Sequence, residues 1–114
     1  MSYENYLNES WYKFLKIKYA LQDDELEQYI DAFYDINNGN SFGPTYLSEF
    51  IKSETDDDVS IETCREGIIK INKTVNNNNR SIIDLRTFML YIVPLCHTQS
   101  IIKKNIKELF DSLD

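Results

Sequence analysis

The chain is poor in residues that interrupt helices, with three Gly and two Pro among 114 residues. Gly costs a helix interior about 1 kcal/mol relative to Ala and Pro about 3, so their scarcity leaves long stretches free to be helical. Histidine occurs once and cysteine twice, and the separation of Cys64 from Cys96 matches no zinc motif. Both thiols are therefore expected to be small core residues, with no metal and no disulfide. No run approaches the roughly 20 apolar residues of a membrane span. Positive charge is also short: 12 Lys and Arg against 19 Asp and Glu give a net charge of −7 and a pI near 4.6. Such a surface repels phosphate backbones and anionic lipid, so neither nucleic acid nor a membrane is an expected partner. There is no Gly-rich phosphate loop and no metal-spaced His pair. No cofactor and no enzymatic activity is expected. The opening Met1-Ser2-Tyr3-Glu4-Asn5 lacks the basic and then apolar regions of a signal peptide, which makes a cytoplasmic location the expectation. The sequons at Asn8 and Asn72 would be silent there.

What the chain has in quantity is large apolar anchors (eight Tyr, six Phe and one Trp) and an internal repeat. At an offset of 38, Leu47, Phe50 and Ile51 return as Leu85, Phe88 and Met89, and Ile30 and Phe33 return as Ile68 and Ile71. Asn38 and Asn40 return as Asn76 and Asn78. Helix-face residues and an Asn-rich loop recur in one register, so the repeating unit is helix–loop–helix. Two copies are too few for a solenoid but enough for a pair that buries its apolar faces mutually. The expected architecture is a single all-α domain: an N-terminal helix within 1–21, one unit over 22–55, a second over 59–93, and a C-terminal helix over 99–112.

Apolar spacing places the first helix from Asn8 to Leu21, with Trp11, Phe14, Leu15 and Tyr19 on its inner face. Asp23 and Asp24 suit the start of the second, whose stripe is Leu26, Tyr29, Ile30 and Phe33. Pro44 and Thr45 open a third, with Tyr46, Leu47, Phe50 and Ile51 buried. After the linker Asp56-Asp57-Asp58, Ser60 caps a fourth helix carrying Ile61, Cys64, Ile68, Ile71 and Val75, weakened by Gly67. Asp84 caps a fifth with Leu85, Phe88, Met89 and Ile92, which Pro94 ends or kinks. Ile102, Ile106 and Leu109 repeat Cys64, Ile68 and Ile71, and so read as a sixth helix free to dock back on the lobe as a competitor for its partner.

The segment Asn76-Asn-Asn-Asn-Arg-Ser-Ile-Ile-Asp84-Leu-Arg-Thr87-Phe88 resembles a degenerate twelve-residue EF-hand loop followed by its Phe. In that frame Ile83 takes the eighth position, where the family pairs two loops through a short strand. The first loop, counted as Asn38 to Glu49, puts Gly43 on the sixth position and Glu49 on the twelfth, although Asp35 offers an alternative start. The resemblance implies a paired, EF-hand-like lobe with an extra helix at each end, similar to calmodulin-like and myosin light-chain-like members. Calcium needs six to eight oxygens, several from carboxylates. The second loop offers Asn76, Asn78, Arg80 and Thr87 at the ligand positions, and the first puts Phe42 and Pro44 there, so both are expected to be calcium-silent.

A silent pair of this kind implies a calcium-independent binding module, a light-chain-like or adaptor subunit that holds an amphipathic, basic helix of a larger protein. The candidate groove residues are Ile30, Phe33, Leu47, Phe50, Ile51, Ile68, Ile71, Leu85, Phe88, Met89 and Ile92, all of which also fit a plain helical core. Two other readings stay open: a virus-type Bcl-2-like helical decoy, and an obligate structural subunit with a covered apolar surface. The first reading predicts a short strand pair joining Thr45 and Ile83, and the decoy predicts none. His97 beside Cys96 lacks the geometry of a Cys/His nucleophile, and the Asp56–Asp58 run is a solvated linker.

Overall fold

The computed structural model describes residue 6 and residues 8–37, 41–55 and 57–102, with backbone alone at 36, 37 and 98–102. Among these the chain is all-helical. Helix α1 is Ser10–Tyr19, α2 is Asp23–Asn37 and α3 is Pro44–Thr55. Helix α4 is Ile61–Ile71 and runs on into a wide π turn, Asn72–Asn76. Helix α5 is one continuous rod: a short α segment Leu85–Thr87, a π segment Phe88–Ile92, and an α segment Val93–Ile102.

Local chemistry accounts for most boundaries. Acidic Asp23, Asp24 and Glu25 occupy the first turn of α2, where the helix dipole favours them. The Ser60 hydroxyl accepts from the Thr63 N–H at 3.1 Å, and the Asp84 carboxylate accepts from the Thr87 N–H at 2.8 Å, so α4 and α5 both start on side-chain caps. Pro44 opens α3, where its missing N–H costs nothing. At the end of α3 the Thr55 hydroxyl donates to the Ile51 carbonyl and accepts from the Asp57 N–H, turning the chain into the linker. The rod α5 passes Pro94 unbroken, against expectation. Val93 donates to the Phe88 carbonyl five residues back, so the turn is already widened where the proline ring would strike the carbonyl four residues back.

The core has one centre. Phe33 stacks on Phe42 with ring centroids 4.9 Å apart, and Phe88 lies 5.2 Å from Phe33, 5.1 Å from Phe42 and 4.8 Å from Phe50. One ring from the second helix–loop–helix segment is thus set among three from the first, in the tilted and edge-on geometries that aromatic pairs favour. Helix α3 packs along α4, α2 packs on α3, and the distal part of α5 returns over α3. Helix α1 lies against the Phe88–Ile92 segment.

Two expectations about faces and one about a helix boundary need correction. On α1 the buried residues are Trp11, Tyr12 and Leu15, while Phe14 is 44% exposed. The helix is rotated because the Tyr12 hydroxyl donates to Asp23 at 2.9 Å and Lys18 lies over the Phe14 ring on the solvent side. On α4, Ile61 is 45% exposed at the first turn and takes no part in the buried stripe. No separate sixth helix begins near 99, because that backbone continues α5 to Ile102. Ile106, Leu109 and the rest of the expected 99–112 helix lie outside the described residues, as do Asn38, Asn40 and Asp56.

Candidate functional site

The residues expected to line a groove are brought together, as the packed interior. Ile30, Leu47, Phe50, Ile68, Phe88, Met89 and Ile92 have no exposure, Ile51, Ile71 and Phe33 have almost none, and Leu85 is half-buried. The apolar face they form carries α1, whose Trp11, Tyr12 and Leu15 are buried in the same cluster.

The two loops between paired helices meet at one antiparallel bridge, Phe42 to Ile83, with the Ile83 N–H donating to the Phe42 carbonyl at 2.9 Å. A pairing at Ile83 is as expected, but its partner is Phe42 and not Thr45, which lies inside α3. The register has a second signature. Leu47 N–H bonds to the Gly43 carbonyl at 3.0 Å, and Phe88 N–H bonds to the Asp84 carbonyl at 3.0 Å. Bridge residues, helix starts and these first-turn bonds all correspond at an offset of 41, whereas the buried entering stripes Leu26, Ile30, Phe33 and Cys64, Ile68, Ile71 correspond at 38. The first loop is therefore three residues shorter than the second. Glu49 consequently stands exposed in the second turn of α3, away from any loop end, and Tyr46 takes the place that Thr87 holds in the second unit.

The second loop is closed by side-chain amides. Asn72, 2% exposed, donates from Nδ2 to the Arg80 carbonyl at 2.8 Å and to the Ile82 carbonyl at 2.9 Å. Its Oδ1 accepts from Asn76 Nδ2 at 2.8 Å, and its own carbonyl accepts the Asn78 N–H at 3.3 Å. Asn76 Nδ2 also donates to Thr87 Oγ1 at 3.1 Å, and Asn78 Oδ1 accepts the Arg80 N–H at 3.0 Å. Two amide NH2 groups thus meet four oxygens, and Asn72 commits both of its amide protons to loop carbonyls. The π turn and the left-handed Asn77 (φ 54°) let the chain bend tightly enough for this closure. Arg80, expected within the ligand sphere, contributes only its backbone, while its side chain is exposed. Asn72 was missed from sequence, since a polar residue in an apolar helical run reads as solvent-facing. Phe42 was missed too, being a single apolar residue between loop and proline. Its signal was the match to Ile83 at 41 rather than 38.

Burial pushes the Cys64 thiol up to about 11, and burial together with the Glu54 carboxylate pushes Cys96 up to about 12, so neither is a thiolate at neutral pH. His97 sits edge-on to Tyr19, with rings 5.8 Å apart. Among the described residues no group of three His, Cys, Asp or Glu could hold a metal ion, and no helix is long and apolar enough to cross a membrane. No protein-family model matches the chain, and no curated protein or solved structure is significantly similar to it.

Proposed function

We propose that this chain is a non-catalytic, calcium-independent protein-binding module, a degenerate EF-hand-like pair that holds an amphipathic, basic helix of a larger protein in a light-chain-like or adaptor role. The observation that supports this reading is the Phe42–Ile83 bridge between the loops of the two helix–loop–helix units, a pairing that falls on the expected Ile83 but on Phe42 in place of Thr45. The Bcl-2-like alternative needs none. Calcium independence is supported by the second loop. In the EF-hand frame, Ile82 supplies the seventh-position carbonyl and Thr87 stands at the twelfth position, and here the Asn72 and Asn76 amides bond these oxygens from within. A divalent ion would have to displace two neutral donors and bind without a bidentate acid.

The surface suits a basic partner. The −7 charge steers positively charged segments toward the lobe, an effect on association rate that salt weakens. The test is an NMR titration of the full chain, first with millimolar calcium and then with basic amphipathic helical peptides. Unchanged amide spectra with calcium and saturable shifts around Phe88–Ile92 with peptide are expected. Micromolar calcium binding would overturn calcium independence, and the absence of any peptide-induced shift in the folded protein would overturn the binding role.

A further inference from the structure

Helix α1 has the chemistry of the ligand that the reading above assigns to the lobe. It carries Lys13, Lys16 and Lys18 with no acidic residue, in a chain whose remaining charge is −10. Its inner face presents Trp11, Tyr12 and Leu15 to the core and leans on the Phe88–Ile92 segment. A basic amphipathic helix is therefore already seated on the apolar face of an acidic lobe.

Its polar attachments are few. No side chain caps its start at Glu9, no acid lies in its first turn, and it has ten residues, so in isolation it would be a marginal helix held by its seat. The polar clasp is small and exposed: Tyr12 and Lys16 both reach Asp23 Oδ1 at 2.9 Å, and together they hold that carboxyl below its usual range. The link to α2 is Ala20, Leu21 and Gln22, with Ala20 in the left-handed region at φ 54°, a conformation that L-residues other than Gly, Asn and Asp seldom adopt. Leaving the seat would let Ala20 relax.

We propose that α1 is a built-in stand-in for the partner helix, and that the partner binds by displacing it. The inference rests on the function proposed above and specifies the partner. The seat takes two adjacent aromatics followed by Leu three positions on, with Lys on the flanks, the pattern of Trp11, Tyr12 and Leu15.

Trp11, the one tryptophan and 5% exposed, reports the seat directly. The probe is a fluorescein-labelled peptide of residues 8–21 in which Trp11 is replaced by Phe, titrated into the full chain and into its Lys16→Ala variant. That substitution is on the surface, and circular dichroism verifies the fold. Peptide binding should shift Trp11 emission to the red with the same midpoint as the peptide anisotropy. The Lys16→Ala variant should bind about two- to five-fold more tightly, because its own α1 loses the ion pair to Asp23 while the peptide keeps Lys16, which raises the fraction of chains with a vacant seat. Binding with unchanged Trp11 emission would overturn the displacement while leaving the lobe a helix binder. Equal affinity of the two chains would overturn the clasp as a control point. No binding of this peptide to either chain would remove α1 as a stand-in, and the independent peptides above would then decide the binding role.

Discussion

In the first unit nine positions separate Phe33 from Phe42, and in the second, twelve separate Ile71 from Ile83. Both pairs do the same job: an entering helix delivers a buried residue, the chain turns, and a bridge residue pairs with its opposite number. The three extra residues of the second unit coincide with the Asn72–Asn76 π turn and its amide network. A longer loop has more backbone carbonyls to satisfy, and here a buried Asn does so. At the position equivalent to Asn72 the first unit carries Tyr34, which is 37% exposed and meets the Tyr6 hydroxyl at 3.5 Å. One register position is thus a buried polar hub in one unit and a surface residue in the other.

The largest effect should come from the ring that joins the units. Phe88→Ala removes contacts with Phe33, Phe42 and Phe50 and should cost about 3–5 kcal/mol in urea denaturation, more than Leu47→Ala at the equivalent position. A larger cost at Leu47 would show that the aromatic cluster is not the joint. Next comes the hub. Asn72→Leu strands the Arg80 and Ile82 carbonyls and should cost about 2–4 kcal/mol, whereas Tyr34→Leu should stay within about 0.5. Equal costs in the same denaturation assay would break the contrast between the loops.

The caps come third. Asp84→Ala should cost about 1 kcal/mol through loss of its bond to the Thr87 N–H. Gly43, its counterpart, has no side chain to cap α3, and an added Cβ would meet nothing nearer than the Ser81 carbonyl at 3.7 Å and Ile82 Cγ2 at 3.8 Å. Gly43→Ser should therefore gain a few tenths of a kcal/mol, measured as a rise in Tm. A loss would mean that the first loop needs glycine for another reason.

The mildest perturbation is pH. Cys64 lies on α4 and Cys96 on the distal part of α5, and their folded values lie above the ordinary 9.0, near 11 and 12. A raised acid favours the native state below its unfolded value, so this stabilisation is complete below pH 9 and is lost as pH rises toward 12. Denaturation midpoints should fall from pH 9 upward, hydrogen exchange should loosen α4 and α5 before α3 between pH 9 and 10, below the range in which Tyr29 of α2, raised by burial from 10.0 to about 12, adds its own loss, and Cys96→Val should flatten the slope. Simultaneous loosening of α3 would show that the units titrate as one body.

The sequence by itself determined the all-helical class, the caps at Ser60 and Asp84, the opening of α3 at Pro44, and nearly all of the buried stripes. These signals act within about one helical turn, between residues that are neighbours along the chain. Tertiary structure alone decided that Phe42 and not Thr45 pairs with Ile83, that α1 turns Tyr12 inward and Phe14 outward, and that Asn72 closes a loop from inside the core. Each of those outcomes depends on a partner eight or more residues away, across the 41-residue bridge, the 11 residues from Tyr12 to Asp23, or the 10 from Asn72 to Ile82. Periodicity and capping preferences carry no information at that range, because the deciding energy is a hydrogen bond or ring contact that exists only once the chain has folded back on itself.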